Sequence, residues 1–203
     1  MRKAGAFFLI LLFSFSLLYA QEDDSPSTDD EWDYYAPDMY TSGDQTFIIS
    51  LGTVFPTIFL NNGKKITSNF SPPVGGAGSL SYNYYLTPKV FLGGEVSGVF
   101  MPTLGNNMFY AIPLGVRTGY QFSYWRLEFP VTLTVGMVWQ RYLNYSYYGL
   151  YMKGGGAAYY RFSTEWSFGI TTNWYWLPQW TDDRSKNVDG NMIDVLLSAR
   201  YHF

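Results

Sequence analysis

Four charged side chains carry most of the polar chemistry open to this chain: Glu95, Arg117, Glu128 and Arg200. They sit in stretches where apolar residues alternate with others, as in Leu127-Glu128-Phe129. An extended chain sends such a residue to the face opposite its apolar neighbours. Charges enclosed on that face must be paired, so two acids and two bases are expected to form a salt-bridged plug. The usual catalytic groups are scarce. There is no Cys, which excludes disulfides and thiol catalysis, and the one His, His202, lies at the extreme periplasmic end of the last strand with no evident Ser partner at the other interface. The chain is therefore read as non-enzymatic, with no cofactor and no metal. Gly154-Gly155-Gly156 precedes no helix, so it is read as a place where a strand bends or packs closely, not as a phosphate loop. No nucleic-acid signal occurs.

Strands must position these charges. The chain of 203 residues suits one domain, with 21% aromatic and 14% charged residues against about 25% charged in ordinary soluble domains. After the N-terminal segment no run reaches the ~20 apolar residues of a membrane helix. A lipid-facing barrel reconciles these facts, since only alternate residues need be apolar. The stretch Asn191–Phe203 shows this most plainly: Ile193, Val195, Leu197, Ala199, Tyr201 and Phe203 alternate with Met192, Asp194, Leu196, Ser198, Arg200 and His202.

Seven earlier segments behave the same way: 46–56, 74–86, 89–101, 108–122, 126–142, 150–162 and 166–178. Tight breaks near 88, 124 and 164 alternate with longer ones near 65, 105, 146 and 185. The outward aromatics fall in two bands, one near each end. The predicted fold is all-β, an eight-stranded antiparallel transmembrane β-barrel of the outer-membrane type. A soluble lipocalin-like barrel would have the reverse polarity, apolar inside and polar outside.

Residues 1–20 read as a cleaved signal peptide: Arg2 and Lys3, an apolar run, then Tyr19-Ala20. Residues 21–45 carry nine acidic and no basic residues and read as a disordered periplasmic tail; the alternative is that its aromatics, Trp32, Tyr34, Tyr35 and Tyr40, dock on a partner or plug the barrel. Residues 46–203, the barrel, hold eleven basic and seven acidic residues, so tail and barrel have opposite charge. The expected location is the outer membrane, with outer-membrane lipid as solvent.

By depth, the inward residues divide. Glu95, Arg117, Glu128 and Arg200 form a polar floor toward the tight turns. Val54, Val99, Met101, Phe109, Val138, Tyr175 and Leu177 form an apolar cup toward the long loops, with Lys153 and Asp194 as exceptions. Interiors of eight-stranded barrels are just wide enough for side chains, so a continuous water pore is not expected. A cup over a polar floor suits a small hydrophobic ligand, though the loops over it could equally be its cover.

The stretches Leu51-Gly52-Thr53-Val54-Phe55-Pro56, Tyr82-Asn83-Tyr84-Tyr85-Leu86-Thr87 and Ala199-Arg200-Tyr201-His202-Phe203 make residues 46–203 similar to the OmpW family of small outer-membrane proteins. The resemblance implies barrels that bind or pass small hydrophobic molecules, with sideways release into the bilayer. A terminal strand closing on Tyr201 and Phe203 also resembles the C-terminal assembly signal of such barrels, which implies the outer-membrane assembly machinery as a partner. The alternative is a structural or adhesive barrel that acts through its loops, Asn144–Tyr148 and Asp182–Asp189.

Two prolines bear on sideways release. Pro113 and Pro130 lie mid-strand and face inward, and each lacks an N–H for the ladder. Bonding alternates along an antiparallel pair. So either both prolines weaken the seam between the fourth and fifth strands, or each weakens the seam on its other side. The candidate lateral seam is the first case.

Overall fold

The computed structural model describes residues 40–61, 64–66, 74–103, 107–142, 145–180 and 188–203. The expected signal peptide, the tail up to residue 39, and the loop positions 143–144 and 181–187 lie outside the described residues. The strands are β1 (Gln45–Asn61), β2 (Lys64–Ile66), β3 (Gly75–Tyr85), β4 (Val90–Thr103), β5 (Asn107–Tyr124), β6 (Leu127–Tyr142), β7 (Tyr145–Arg161), β8 (Trp166–Gln179) and β9 (Val188–His202). The sheet order is β2-β1-β3-β4-β5-β6-β7-β8-β9, antiparallel throughout, and β1 also pairs β9. That last pairing runs from Thr46↔His202 to Asn61↔Val188 and closes eight strands into a barrel, with β2 a short hairpin extension of β1.

The polarity follows the alternation. Outward Leu51 (68% exposed), Leu114 (63%) and Leu197 (70%) contrast with inward Glu128 (0%) and Arg200 (1%). A wall of exposed Leu, Ile, Val and aromatic side chains is stable only where lipid is the solvent. Aromatic girdles stand at both ends: Tyr82, Tyr84, Tyr120 and Trp166 near the tight turns, and Phe55, Phe100, Tyr110 and Trp174 near the long connections. The β5–β6 turn is tight enough to hold Trp125 at φ +53°.

Three expectations from the sequence shift. The tyrosine-rich stretch expected as a loop is strand from Tyr145 onward, paired through Tyr142↔Tyr145 and Trp139↔Tyr148. Its aromatic content favours a sheet, and Trp139 opposite Tyr148 is an aromatic cross-strand pair that stabilises it there. β1 likewise runs on to Asn61, past Pro56, through a register shift against β9 between Pro56 and Ile58. Third, Tyr40, which precedes β1 and belongs to the expected tail, packs inside the barrel.

Inside, two apolar clusters sit at the two ends. One holds Val54, Ala77, Val99, Met101, Phe109, Ala111, Val138, Tyr151, Tyr175, Leu177, Met192 and Leu196. The other, at the tight-turn end, is Tyr40 with Tyr85 and Phe91. The charged groups occupy the space between and around them.

Candidate functional site

The floor is two ionic groups at different depths. In mid-barrel, Glu95 of β4 accepts from Arg117 Nη1 of β5 at 2.8 Å and from Ser97 Oγ at 2.7 Å, and it pairs directly with Lys153 of β7. Arg117 Nη1 also donates to Ser81 Oγ at 3.0 Å. Lys153, expected as a polar exception in the apolar cup, thus completes this group. Nearer the tight turns, Glu128 of β6 pairs with Arg200 of β9 at 2.6 Å, with Arg161 of β7 standing 3.6 Å away. The hydroxyls of Ser50, Ser198, Thr171 and Tyr159 run between the groups, with contacts of 2.7, 2.8 and 3.3 Å. Buried carboxylates with two cations each are compensated, so they can stay charged out of water.

Tyr40, one of the four tail aromatics offered by the sequence as a possible plug, completes the lower group, although spacing did not single it out from the other three. It precedes β1, yet it is 2% exposed. Its hydroxyl donates to Glu128 Oε2 at 2.5 Å and accepts from Arg200 Nη1 at 2.9 Å. Its ring stacks on Tyr85 with centroids 4.0 Å apart, and the Arg161 guanidinium lies 5.1 Å from the ring centre. Burial pushes its phenol well above the ordinary value, so the hydroxyl stays a donor. The signal that could have marked it is an aromatic residue a few positions ahead of a first strand whose inward face is charged.

His202 has a serine beside it at its own end of the barrel: Ser167 Oγ lies 2.7 Å from Nε2, brought there by the direct pairing of β8 with β9. Arg161 Nη2 lies 2.8 Å from Nδ1. An arginine can only donate, so Nδ1 accepts and Nε2 carries the proton that points at Ser167. A ring in that tautomer cannot take the serine proton, and a triad has a carboxylate where Arg161 stands. The arrangement is structural.

The seven cup residues are all buried: Val54 0%, Val99 3%, Met101 0%, Phe109 7%, Val138 1%, Tyr175 1% and Leu177 2%. They pack into one cluster, as expected when side chains fill an eight-stranded interior. Tyr175 Oη donates to Asp194 Oδ2 at 2.7 Å, and Asn173 donates to Asp194 Oδ1 through its side chain at 2.8 Å.

The prolines fall out differently from the candidate seam. The β5–β6 ladder runs without interruption across both, through Pro113↔Val138 and Gln121↔Pro130. The seam between the fourth and fifth barrel strands is therefore intact, and a lateral opening there is ruled out. Instead β4–β5 skips from Val96↔Leu114 to Val99↔Ala111 beside Pro113, and β6–β7 skips from Glu128↔Tyr159 to Val131↔Gly156 beside Pro130. Each proline turns its missing N–H toward the outer seam, the second of the two cases allowed by the alternation.

A hollow lies at each interruption. The one at β4–β5 holds about 1110 Å³ and is lined by outward Leu51, Gly78, Gly98, Phe100, Tyr110 and Ile112, with Trp139 and Arg141 on the next strand. Its wall includes Ala77, Val99 and Ala111, which belong to the apolar cluster inside. The one at β6–β7, about 380 Å³, is lined by Phe129, Pro130, Val131, Gly156, Ala158 and Ile170 among others.

A closed, eight-stranded, inside-polar barrel with aromatic girdles is a membrane barrel of the outer-membrane kind. The chain belongs to a protein family whose sequence model, which carries no functional description, matches residues 23–201. Two proteins of Treponema pallidum (strain Nichols), neither with a described function, are similar to it. One is 30% identical over 129 residues, covering 64% of this chain and 59% of its own length. The other is 25% identical over 203 residues, covering 85% and 67% respectively. This chain thus spans little more than half of the first relative. Among solved structures, Neisserial surface protein A superposes with a TM-score of 0.56 at 10% identity, over 80% of this chain and 98% of its own. The outer membrane protein OprG of Pseudomonas aeruginosa does so at 0.51 and 12%, over 81% and 97%. At that identity the likeness is one of fold.

Proposed function

We propose that this chain is an outer-membrane barrel that binds small hydrophobic molecules and passes them sideways into the bilayer through the β4–β5 seam at Pro113. One observation supports this reading: the ladder is interrupted where the outer hollow and the apolar half-lumen share a wall. Val99 and Ala111 flank the gap, and both side chains are small. A molecule entering from the long-connection end, facing outside the cell, would meet the ionic floor below and a thin, unbonded wall beside it. A sideways exit is then the less costly route, because the floor's charges would have to be unpaired for passage downward.

The experiment restores the missing donor. Pro113→Ala returns an N–H toward β4 and should slow uptake of an uncharged aromatic solute into vesicles several-fold, while Pro130→Ala should leave uptake unchanged. Equal uptake by the Pro113→Ala barrel and the parent would remove the lateral path.

The adhesive reading has one observation of its own. At the long-connection end, Tyr147 Oη accepts from the Trp180 backbone N–H at 2.8 Å, which pins an exposed pair, Tyr148 (71%) and Trp180 (56%). If Tyr148→Ser and Trp180→Ser abolish a cell-binding phenotype while the Pro113 substitution changes nothing, the surface reading holds.

A further inference from the structure

The β4–β5 hollow is on the lipid-facing wall, where a bare barrel surface would be continuous with bilayer chains. Two features set it apart from the rest of that wall. The first is its floor. Gly78 of β3 and Gly98 of β4 are direct register partners and both turn outward. A side-chain carbon placed on Gly98 would meet no heavy atom within 4 Å. Beside this bare pair stand Leu51 on β1, Phe100 on β4 and Ile112 on β5. Leu51 Cδ2 lies 2.9 Å from where a side-chain carbon on Gly78 would stand, so the open floor centres on Gly98; with strand neighbours about 4.8 Å apart, it takes one extended hydrocarbon chain lying along the strands.

The second feature is at its head. One register step toward the long connections, roughly 7 Å along the strands, Tyr110 pairs with Arg141 of β6. Arg141 is exposed, lines the same hollow, and among the described residues makes no ion pair or hydrogen bond through its side chain. A guanidinium has a planar fork that matches a carboxylate in two parallel hydrogen bonds. An apolar slot of one chain's width, topped at the girdle by one unpartnered cation, is complementary to a molecule with one chain and one anionic end.

We infer that this hollow is a binding site for a long-chain carboxylate, with the chain on the Gly78–Gly98 floor and the carboxylate on Arg141. The inference deepens the seam reading above, on which it rests for its route, by naming the class of molecule that occupies the outer mouth. Double-chained phospholipid is the competing occupant, and it would need width that Leu51 and Ile112 deny.

Trp139 lines the hollow and reports on it. In vesicles of saturated phosphatidylcholine at alkaline pH, the probes are 9,10-dibromostearate and its methyl ester, which carry the same quenching chain with and without the charge. The signal is the fluorescence lost by the parent barrel beyond that lost by Trp139→Phe, which separates Trp139 from the other tryptophans. The acid should quench at about fivefold lower concentration than the ester, as one partly exposed ion pair of up to about 1 kcal/mol allows. Arg141→Gln should bring the two probes level. Gly98→Leu fills the empty floor and should remove quenching by both.

Equal potency of acid and ester on the parent barrel overturns the carboxylate site, and so does a preference that survives Arg141→Gln. Unchanged quenching in Gly98→Leu shows that the slot is not where the chain lies. Should Gly98→Leu fail to shift on unheated gels as a folded barrel, the Arg141→Gln ratio decides alone, since that residue is exposed. Failure of the seam reading looks different: Pro113→Ala with normal uptake removes passage but leaves the acid-over-ester preference in place.

Discussion

Replacing Tyr40 tests whether the chain ahead of β1 is part of the barrel. Tyr40→Phe keeps the ring against Tyr85 and removes a hydroxyl that donates to Glu128 at 2.5 Å and accepts from Arg200 at 2.9 Å. Hydrogen bonds to charged groups contribute about 1.5–3 kcal/mol each. Glu128 and Arg200 still hold each other at 2.6 Å, so the loss is not the sum of both. A destabilisation of about 1–3 kcal/mol is expected. Tyr40→Ala also removes a ring that is 2% exposed and leaves a cavity, which brings the loss to about 3–5 kcal/mol. Urea unfolding of the barrel in vesicles, followed by tryptophan fluorescence, measures both.

The pH dependence gives a second handle on the same residue. The phenol of Tyr40 is raised above its ordinary value of 10.0 by burial. The folded state therefore holds this proton more tightly than the unfolded state does. Its contribution is complete below pH 10 and is lost as pH rises through the folded value. The stability gap between the parent and Tyr40→Phe should narrow above about pH 10. If Tyr40→Ala unfolds within about 0.5 kcal/mol of the parent, as an exposed substitution would, Tyr40 is not the plug described above.

Three further outcomes follow from the same geometry. Glu128→Gln leaves Arg200 and Arg161 facing each other without an anion and should cost about 3–5 kcal/mol, whereas adding Arg200→Met should recover part of that loss in the same unfolding assay. Gly136→Ala would bring a methyl within 2.1 Å of the Leu114 carbonyl oxygen and 2.4 Å of the Gly115 Cα across the intact β5–β6 seam. It should destabilise by about 1–3 kcal/mol, while Gly94→Ala, with nothing within 4 Å, should unfold like the parent. Val138→Asp places a charge in the apolar cluster without touching lipid; a folded barrel with weaker hydrophobic uptake is expected, and unaltered uptake would separate the cup from the path.

The fold was legible because a membrane barrel writes its two solvents into alternate residues. Ile193 through Phe203 against Met192 through His202 needs only the period of two, and the same test placed all eight barrel strands, though not the short β2 (Lys64–Ile66) in what reads as a loop. The strand ends drifted where the cue was composition instead of period. Tyr145–Tyr148 looks like a polar loop in isolation, yet it is a ladder once β6 lies beside it.

The site divides the same way. That Glu95, Glu128, Arg117 and Arg200 face inward follows from parity alone. Which acid meets which base depends on strand stagger around a closed barrel, so the partnership of Glu95 with Lys153, 58 residues away, could not be read from the chain. The prolines show the boundary most sharply. Sequence reduced them to two arrangements, because bonding must alternate along each strand. Only the register decided that Pro113 breaks β4–β5 and Pro130 breaks β6–β7. The Ser167–His202 contact and the Gly78–Gly98 floor are likewise products of register between paired strands, and the tertiary structure decided that Tyr40, one of four candidate tail aromatics, is buried. Alternation is a property of one strand, set locally by the pleat, whereas pairing is a property of two, set by how far each slides past the other.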